Sequence, residues 1–488
     1  MAPSKPSKAA DGAPTGYSPE NEPQSDGASE TVAGEDLTGE ALTGEERSLI
    51  PPINLDSYFR KLQFQTGSPV TMRGRVRRIT GGMVIRARLP NARIGEVCTI
   101  EPTGRPPVKA QIVGFDDEDV FLTPFDPLDQ VGPKTPVINK GQVFTVGVGS
   151  ELLGRVLNSL GDPIDGKGEL HCATRYPVKT PAPEPMKRRR IRSVLPVGIR
   201  AIDMLLTTGE GQRVGVFSTA GVGKSSLLGM IATHSTADVN VVALVGERGR
   251  EVLDFLEDNL GPEGLARSVV VVSTSDETPL RRIIAAYSAT AIAEYFRDQG
   301  KRVMLLMDSV TRFARALREV ALSLGEPPAR QGFPPSVFAA LPELLERAGN
   351  TDRGSITAFY TILLSSELIE DPLGEEIRAI LDGHLYLSSR LSQVAHYPAI
   401  DLLRSNSRVM EMIVPEEHQQ IANHLRKLWA VYEDNRDLIM LGAYKEGSDP
   451  LIDEALKRRS DLLDFLIQQP DEHSMLDTTM ERARRVIR

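Results

Sequence analysis

The sequence predicts an α/β fold that joins a small N-terminal β-barrel, a central parallel sheet and a helical C-terminal domain. Short alternating runs broken by Gly, Pro and Asp fill about residues 70–127, as in a barrel of short strands. Apolar strand-like runs then alternate with helical patterns such as 280–299, as in a parallel sheet. After Met412 the pattern is helical, with breaks at Pro and Gly.

We therefore expect an acidic extension at 1–50, a barrel domain at 51–128, a sheet domain at 129–411 and a helical domain at 412–488. The extension has ten Asp or Glu against three Lys or Arg, a net charge of −7, whereas all 488 residues together carry −9. Its Pro-, Ser- and Gly-rich composition lacks a hydrophobic period and predicts disorder. The extension is either a solvated segment or a regulatory, partner-binding tail.

The predicted barrel strands are 70–77, 108–115 and 119–123. In the first of them Arg73, Arg75 and Arg77 would share one face, because side chains alternate along a strand. A basic face could bind nucleic acid, but no aromatic residues are interleaved with these arginines for base stacking. We interpret it as a solvated or subunit-facing surface.

The sheet domain contains a Gly-rich loop that ends in Gly-Lys-Ser, between a short apolar strand and a helical pattern. This is the context of a phosphate-binding loop, in which backbone N–H groups and a helix N-terminus cradle phosphates. Lys224 would reach the β- and γ-phosphates, and the Ser225 hydroxyl would ligate Mg²⁺. Ser218 stands where glycine is commonest. The predicted nucleotide-binding residues are Ala220, Gly221, Val222, Gly223, Lys224, Ser225 and Ser226.

A nucleoside triphosphatase also needs carboxylates for the metal and for the attacking water, and two of them end buried strands. Asp308 is assigned to Mg²⁺, and Glu247 is the candidate that polarises the water. Because Arg248 and Arg250 stand beside it, Glu247 could instead belong to a structural ion pair. Glu251, one helical turn later, is expected to make an ordinary ion pair.

Six longer motifs follow one another along the chain: GERGRE (246–251), MDSVTRFAR (307–315), GEPP (325–328), FPPSVF (333–338), ILDGH (380–384) and HYPAID (396–401). Together they resemble the ATPases of bacterial type III protein secretion, which are relatives of the rotary ATP synthase catalytic subunit. The resemblance covers about residues 50–488. It implies a RecA-like sheet domain, a homohexameric ring, and hydrolysis of ATP with Mg²⁺.

The resemblance also implies roles for three further residues. Tyr397 matches the aromatic position that stacks on the adenine, and Arg408 matches the arginine that reaches the γ-phosphate of a neighbouring subunit. A ring face suits a base, and a guanidinium suits the charge of a transferring phosphoryl group. On residue type alone, they could be a half-buried turn tyrosine and a surface arginine. Arg248 would either add a second contact near the phosphate or orient Glu247.

The partners that the resemblance implies are stator and central stalk proteins, the export gate and chaperone–effector complexes, at the cytoplasmic face of the inner membrane. The amphipathic stretch 53–62 would meet the stator or the membrane surface, or pack on its own barrel. We expect the injectisome form, with the flagellar export ATPase as the alternative.

Three other classes fit the sequence less well. An ATP synthase subunit would differ after the metal aspartate, a noncatalytic ring subunit would lack Glu247, and an RNA translocase would carry an aromatic platform in its barrel. We expect no nucleic acid partner.

Composition and sequence pattern indicate the cellular compartment of the protein. No apolar run approaches the roughly 18–20 residues of a membrane span, and the N-terminus lacks the pattern of a secretory signal. The two cysteines, Cys98 and Cys172, fit a reducing compartment, and their spacing suggests neither a zinc site nor a redox pair. The sequence therefore predicts a cytoplasmic protein without a structural metal.

Deletion of residues 1–45 tests the interpretation of the acidic extension. Because the segment has too little apolar surface to join a core, we expect the midpoint of thermal unfolding to stay within about 2 °C of that of the full chain. Differential scanning calorimetry of both proteins measures this. A fall of more than about 4 °C would show that the extension packs on the folded body.

Overall fold

The computed structural model of the protein describes residues 71–81, 83–128, 131–367 and 371–488. The acidic extension 1–50 and the stretch 53–62 lie outside the described residues, so their interpretations stay predictions. The described chain contains a closed barrel, a central sheet rich in parallel strands and a set of C-terminal helices. The predicted fold class is thereby confirmed.

The barrel consists of six antiparallel strands, β1 (Met72–Thr80), β2 (Val84–Arg88), β3 (Glu96–Ile100), β4 (Val108–Asp116), β5 (Asp119–Pro124) and β6 (Pro136–Val143). They close in the order β1-β2-β5-β4-β3-β6. Ile85, Ile100, Ile112 and Leu122 fill the interior, because inward and outward side chains alternate along each strand. The three arginines that the sequence placed on one face of β1 are all exposed.

The barrel extends beyond residue 128, where the sequence pattern placed its end. β6 pairs with both β1 and β3 and so closes the barrel. Pro133 lies just before β6 and Pro136 is its first residue, a pattern typical of a connector rather than of a strand. Its partner strands lie far earlier in the chain, and a pairing between distant segments leaves no local periodic signal.

The central sheet contains β8 (Arg155–Asn158), β10 (Arg213–Ser218), β11 (Val239–Glu247), β12 (Ser268–Thr274), β13 (Arg302–Asp308), β14 (Gly349–Asn350), β15 (Ser355–Leu363), β16 (Gly383–Leu387) and β17 (Ile400–Ser407). The strand order is β17-β16-β10-β15-β13-β11-β12-β8, with β14 beside β15. β14 and β17 pair antiparallel, and the other strands pair parallel. β7 (Thr145–Val148) and β9 (Thr174–Pro177) form a separate ribbon.

The described helices are α1 (Arg200–Leu205), α2 (Lys224–His234), α3 (Gly249–Asp254), α4 (Gly261–Ala266), α5 (Pro279–Asp298), α6 (Val310–Ser323), α7 (Pro335–Leu345), α8 (Pro372–Ile380), α9 (Ser389–Gln393), α10 (Met410–Ile413), α11 (Glu416–Met440), α12 (Pro450–Leu466) and α13 (Leu476–Ile487). A π-helical segment, Phe255–Leu260, lies between α3 and α4. Apolar cores lie on both faces of the sheet, one built with α5, α6 and α7 and the other with α1, α2 and the C-terminal helices. Two covered faces explain why all nine residues of β11 are buried.

The C-terminal domain packs α11, α12 and α13 on α1 of the sheet domain. Trp429 on α11 is buried in this core, as the sequence predicted. The predicted breaks Pro415, Gly442, Gly447 and Pro470 all fall between helices. Within the described ranges, no helix combines the length and apolar character needed to cross a membrane.

The sheet brings three chain segments to one edge. β10, β15, β13 and β11 are parallel neighbours in that order, so their carboxyl ends lie at the same edge. Ser218 ends β10, Glu247 ends β11 and Asp308 ends β13. In open parallel sheets the loops at this edge bind ligands.

Candidate nucleotide site

The Gly-rich loop connects β10 to α2, as predicted. Backbone φ is +79° at Gly221 and +88° at Gly223, a region that glycine adopts readily and other residues rarely do. Gly223 is the N-cap of α2 and no side chain caps the helix there. The N–H groups of the first turn are therefore available to an anion at the helix N-terminus.

Exposure differs along the loop. Ala220, Gly221, Ser225 and Ser226 are exposed, whereas Val222 is buried in the apolar core below the loop. The buried valine anchors the loop while its polar backbone and the Ser225 hydroxyl stay on the surface. This arrangement suits the binding of a phosphate chain.

Four charged side chains meet at the carboxyl edge of the sheet: Lys224, Glu247, Asp308 and Arg312. Lys224 Nζ donates to both carboxylate oxygens of Asp308 and lies 3.7 Å from Glu247 Oε1. Arg312 Nη1 lies 2.9 Å from Glu247 Oε2. Glu247 and Asp308 are only 5% and 3% exposed, so the two cations lie within ion-pair distance of carboxyl groups that water scarcely reaches. We call these four residues the charge cluster.

The environment of Glu247 favours its neutral form. Burial raises its pKa to about 8, a hydrogen bond with Glu251 and the charge of Asp308 add to the rise, and Lys224 and Arg312 oppose it. A carboxyl group that titrates near neutral pH is suited to take up a proton. Among the described residues, Glu247 Oε1 is buried without a hydrogen-bond partner, which leaves an acceptor for a water molecule.

Two buried threonines support this edge, and no sequence motif marked them as site residues. Thr361 Oγ1 donates to Asp308 Oδ1 at 2.8 Å. Thr311 Oγ1 accepts from the Leu363 backbone N–H at 2.8 Å, which ties the start of α6 to the end of β15. A hydroxyl in a buried strand is the only local signal for Thr361. Its role emerges only from the strand order, which places β15 next to β13.

Arg312, rather than Arg248, is the arginine beside Glu247. Arg248 is exposed and its Nη1 lies 3.0 Å from Glu251 Oε1, the ordinary ion pair expected for that glutamate. Arg312 reaches Glu247 from α6 and also donates to the Gly246 carbonyl. The contacts of Arg248 thus link it to Glu247 only through Glu251, and its predicted role at the phosphate remains a hypothesis.

Tyr397 lies beside the loop. A methyl group in place of the Gly223 hydrogen would sit 3.3 Å from Tyr397 Cε1. Tyr397 is 41% exposed, and its hydroxyl is 2.9 Å from Ser392 Oγ. A half-exposed ring next to a phosphate loop is available for stacking on a base.

Arg408 lies apart from these residues. It is exposed, follows β17, and donates from Nη2 to the Arg378 carbonyl at 3.3 Å. Its backbone N–H donates to the Asp382 carbonyl at 3.0 Å, at the start of β16. β16 runs parallel to β10, so Arg408 lies at the sheet edge opposite the loop. An arginine at that edge cannot serve the loop of its own subunit.

The donor set of the site fits Mg²⁺. An exposed serine hydroxyl at the start of α2 and a buried carboxylate at the end of β13 are hard oxygen ligands of the kind that Mg²⁺ takes beside phosphates. Clusters of three or more His, Cys, Asp or Glu that could hold a metal alone do not occur in the part of the chain that the structure describes. Ser225 and Asp308 therefore suit a metal that arrives with a phosphate chain.

Comparisons with known proteins give two matching family models and several similar chains. Residues 198–407 match the model of the ATP synthase alpha/beta family, nucleotide-binding domain, and residues 414–484 match the T3SS EscN ATPase C-terminal domain. The chain is 51% identical over 409 residues to the type 3 secretion system ATPase of Xanthomonas euvesicatoria, covering 84% of this chain and 92% of that protein. It is 47% identical over 409 residues to the flagellum-specific ATP synthase of Bacillus subtilis, covering 83% and 93%.

The fold is similar to that of a solved ATPase. The assembled ATPase EscN of the enteropathogenic E. coli type III secretion system superimposes with a TM-score of 0.81 at 45% identity. The match covers 85% of this chain and all of that chain. EscN has also been solved in complex with its central stalk EscO, and that structure superimposes with a TM-score of 0.79 at 45% identity, again over 85% of this chain and all of that one.

The contact between Arg312 and Glu247 predicts a change in pH dependence. Arg312→Met removes a cation that lowers the pKa of Glu247, so the pKa should rise. If Glu247 is the proton acceptor, it must be deprotonated to act, and the acid limb of kcat/KM for ATP hydrolysis should move up by about one pH unit.

A pH–rate profile measures the shift, with Arg250→Met as the matched control. Arg250 is exposed and 3.6 Å from Asp254, so its removal should leave the limb in place. If the acid limb of Arg312→Met is unchanged, Arg312 does not lower the pKa of Glu247 and the prediction is wrong.

Proposed function

The chain belongs to the family of type III secretion and flagellar export ATPases, within the ATP synthase alpha/beta family, and from its site we propose how it hydrolyses ATP to drive type III protein export. One observation carries the proposal: the charge cluster lies directly behind a phosphate loop and contains both carboxylates that phosphoryl transfer to water requires. Homologues across most of the chain are export ATPases of both kinds.

Each residue at the loop has a defined task in this proposal. The loop backbone and Lys224 hold the phosphates and offset their charge. Ser225 and Asp308 would hold Mg²⁺, which supplies positive charge to the β- and γ-phosphate oxygens when bound. Glu247 orients the attacking water and accepts its proton at Oε1, the oxygen that has no hydrogen-bond partner among the described residues.

The Lys224–Asp308 contact suggests how the site changes when nucleotide binds. Lys224 donates to both oxygens of Asp308, and the same carboxylate would be needed by the metal. If Lys224 turned to the phosphates, Asp308 would be released from it and available to hold Mg²⁺, with Thr361 still donating to its carboxylate. One rotation of the lysine side chain thus prepares both groups.

The active unit in this proposal is a homohexameric ring. Arg408 is exposed at the sheet edge opposite the loop, which lets it face the loop of a neighbouring subunit. There its guanidinium would stabilise the charge on the transferring phosphoryl group. The assembled form of EscN supports a ring. Tyr397 would stack on the adenine from the same subunit as the loop.

The partners follow from relatives. The EscN–EscO complex supports a central stalk protein as a partner of this chain. We further propose contacts with a stator, the export gate and chaperone–effector complexes, and a peripheral position at the cytoplasmic face of the inner membrane. We propose the injectisome form, with the flagellar export ATPase as the alternative; relatives of both kinds match most of the chain, a type 3 secretion ATPase at 51% identity and a flagellar one at 47%.

Mixing two inactive variants tests whether the site is shared between subunits. Glu247→Gln and Arg408→Ala should each bind ATP and hydrolyse it poorly, because losing a transition-state group costs about a hundredfold or more in rate. In mixed rings, some interfaces would combine an intact Glu247 with an intact Arg408. ATPase activity of the mixture should therefore rise well above that of either variant.

The matched control is a mixture of Glu247→Gln with Lys224→Ala. Both changes lie on the loop side of a site, so no interface regains a complete set and activity should stay at background. If native mass spectrometry shows mixed rings and the first mixture is equally inactive, Arg408 does not act across the subunit boundary.

A further inference from the structure

Gln468 connects the helical domain to the segment that carries Tyr397. It follows the last residue of α12 by two positions and is only 2% exposed. Its backbone N–H donates to the Tyr397 carbonyl at 2.9 Å. The residue that would stack on the base therefore has its main chain fixed by the C-terminal domain.

The side-chain amide of Gln468 fixes its position relative to the sheet domain. Its Oε1 accepts from the Arg200 backbone N–H at 2.8 Å, and its Nε2 donates to the Gly198 carbonyl at 2.8 Å and to the Glu472 carbonyl. The oxygen and both N–H groups of the amide are thus used. A buried amide with all its partners in place has one stable orientation.

Arg200 reinforces the same contact from the other direction. Its guanidinium is buried and donates to the Phe465 carbonyl at 2.7 Å and to the Ile467 carbonyl, and it forms an ion pair with Glu472. The backbone around Gln468 is therefore held by the start of α1 on both sides. If α12 moved relative to α1, either these hydrogen bonds would break or the segment around Gln468 would move with α1.

Two hydrogen bonds hold Tyr397, and its ring lies beside the phosphate loop. Its hydroxyl forms a hydrogen bond with Ser392 Oγ, and its carbonyl accepts one from the Gln468 N–H. The edge of the ring lies next to Gly223. The residue before it, His396, lies against Trp429 of α11, with ring centroids 6.2 Å apart. Both flanks of the tyrosine thus contact the helical domain, and the plane of its ring depends on where that domain sits.

We propose that Gln468 is a positioning residue for Tyr397, through which the helical domain controls the base-dependent part of nucleotide affinity. The inference rests on the proposed function, because it requires Tyr397 to stack on the adenine. Stacking depends on the plane of the ring, whereas the phosphate contacts come from the loop and α2. A substitution at Gln468 should therefore weaken the binding of the base and leave the binding of the phosphates unchanged.

The experiment compares a ligand that has a base with one that does not. Binding of ADP and of inorganic tripolyphosphate, each with Mg²⁺, is measured by calorimetry on the full chain and on Gln468→Ala. The matched control is Gln469→Ala, the same change at an exposed neighbour. Tyr397→Ala provides the effect of losing the stack itself.

We expect Gln468→Ala to lower the affinity for ADP about tenfold and to leave the affinity for tripolyphosphate within about twofold of that of the unaltered chain. Gln469→Ala should leave both affinities unchanged. The double variant Tyr397→Ala, Gln468→Ala should bind ADP no more weakly than Tyr397→Ala alone, because both changes remove the same interaction. Under steady-state conditions KM for ATP should rise while kcat changes little.

Three results would overturn the inference. If Gln468→Ala binds ADP like Gln469→Ala while Tyr397→Ala binds it weakly, the positioning role fails and the proposed stacking stands. If Gln468→Ala weakens both ligands equally, its effect is general loss of structure. If Tyr397→Ala itself leaves ADP affinity unchanged, the stacking role fails first and the inference with it.

The only tryptophan of the chain reports whether each variant is folded. Trp429 emission reflects packing of α11, so an unchanged spectrum shows that the helical domain is intact. Should Gln468→Ala fail this check, Gln468→Met fills a similar volume without the amide and replaces it in every comparison.

Discussion

The pairing of two buried carboxylates with two partly buried cations at the carboxyl edge of the sheet constrains the rest of the structure. Glu247 and Asp308 are nearly inaccessible to water, and Lys224 and Arg312 lie within ion-pair distance of them. Removing one member would leave an uncompensated charge in a region of low dielectric. The cluster is therefore costly to fold, which is expected where binding energy and reactivity are concentrated.

The parallel sheet is what makes this balance possible. Lys224 comes from α2, Glu247 from β11, Asp308 from β13 and Arg312 from α6, so the four residues belong to four elements that the sheet brings together. Only parallel strands place their carboxyl ends at one edge, and only helices on both faces exclude water behind them. The opposite edge carries Arg408, which in the proposed ring would face the loop of a neighbouring subunit.

Local chemistry made most of the site predictable from the sequence. The Gly-rich loop needs positive φ at Gly221 and Gly223, and Asp308 ends an apolar run that can only be a buried strand. Residues defined by long-range packing were not predictable in the same way. Arg248 is adjacent to Glu247 in sequence, yet Arg312 is its neighbour in space, because β11 and β13 lie side by side and α6 starts after β13. Strand β6 and the role of Thr361 were not predicted for the same reason, because strand order cannot be read from a local stretch of sequence.

The measurement that tests the central claim most directly is a single-turnover comparison of wild-type and Glu247→Gln protein loaded with the same ATP. If the charge cluster catalyses hydrolysis with Glu247 as its base, the variant should bind ATP within about threefold of the wild-type affinity and hydrolyse the bound ATP at least about a hundredfold more slowly. Hydrolysis at the wild-type rate from fully bound ATP would contradict this account.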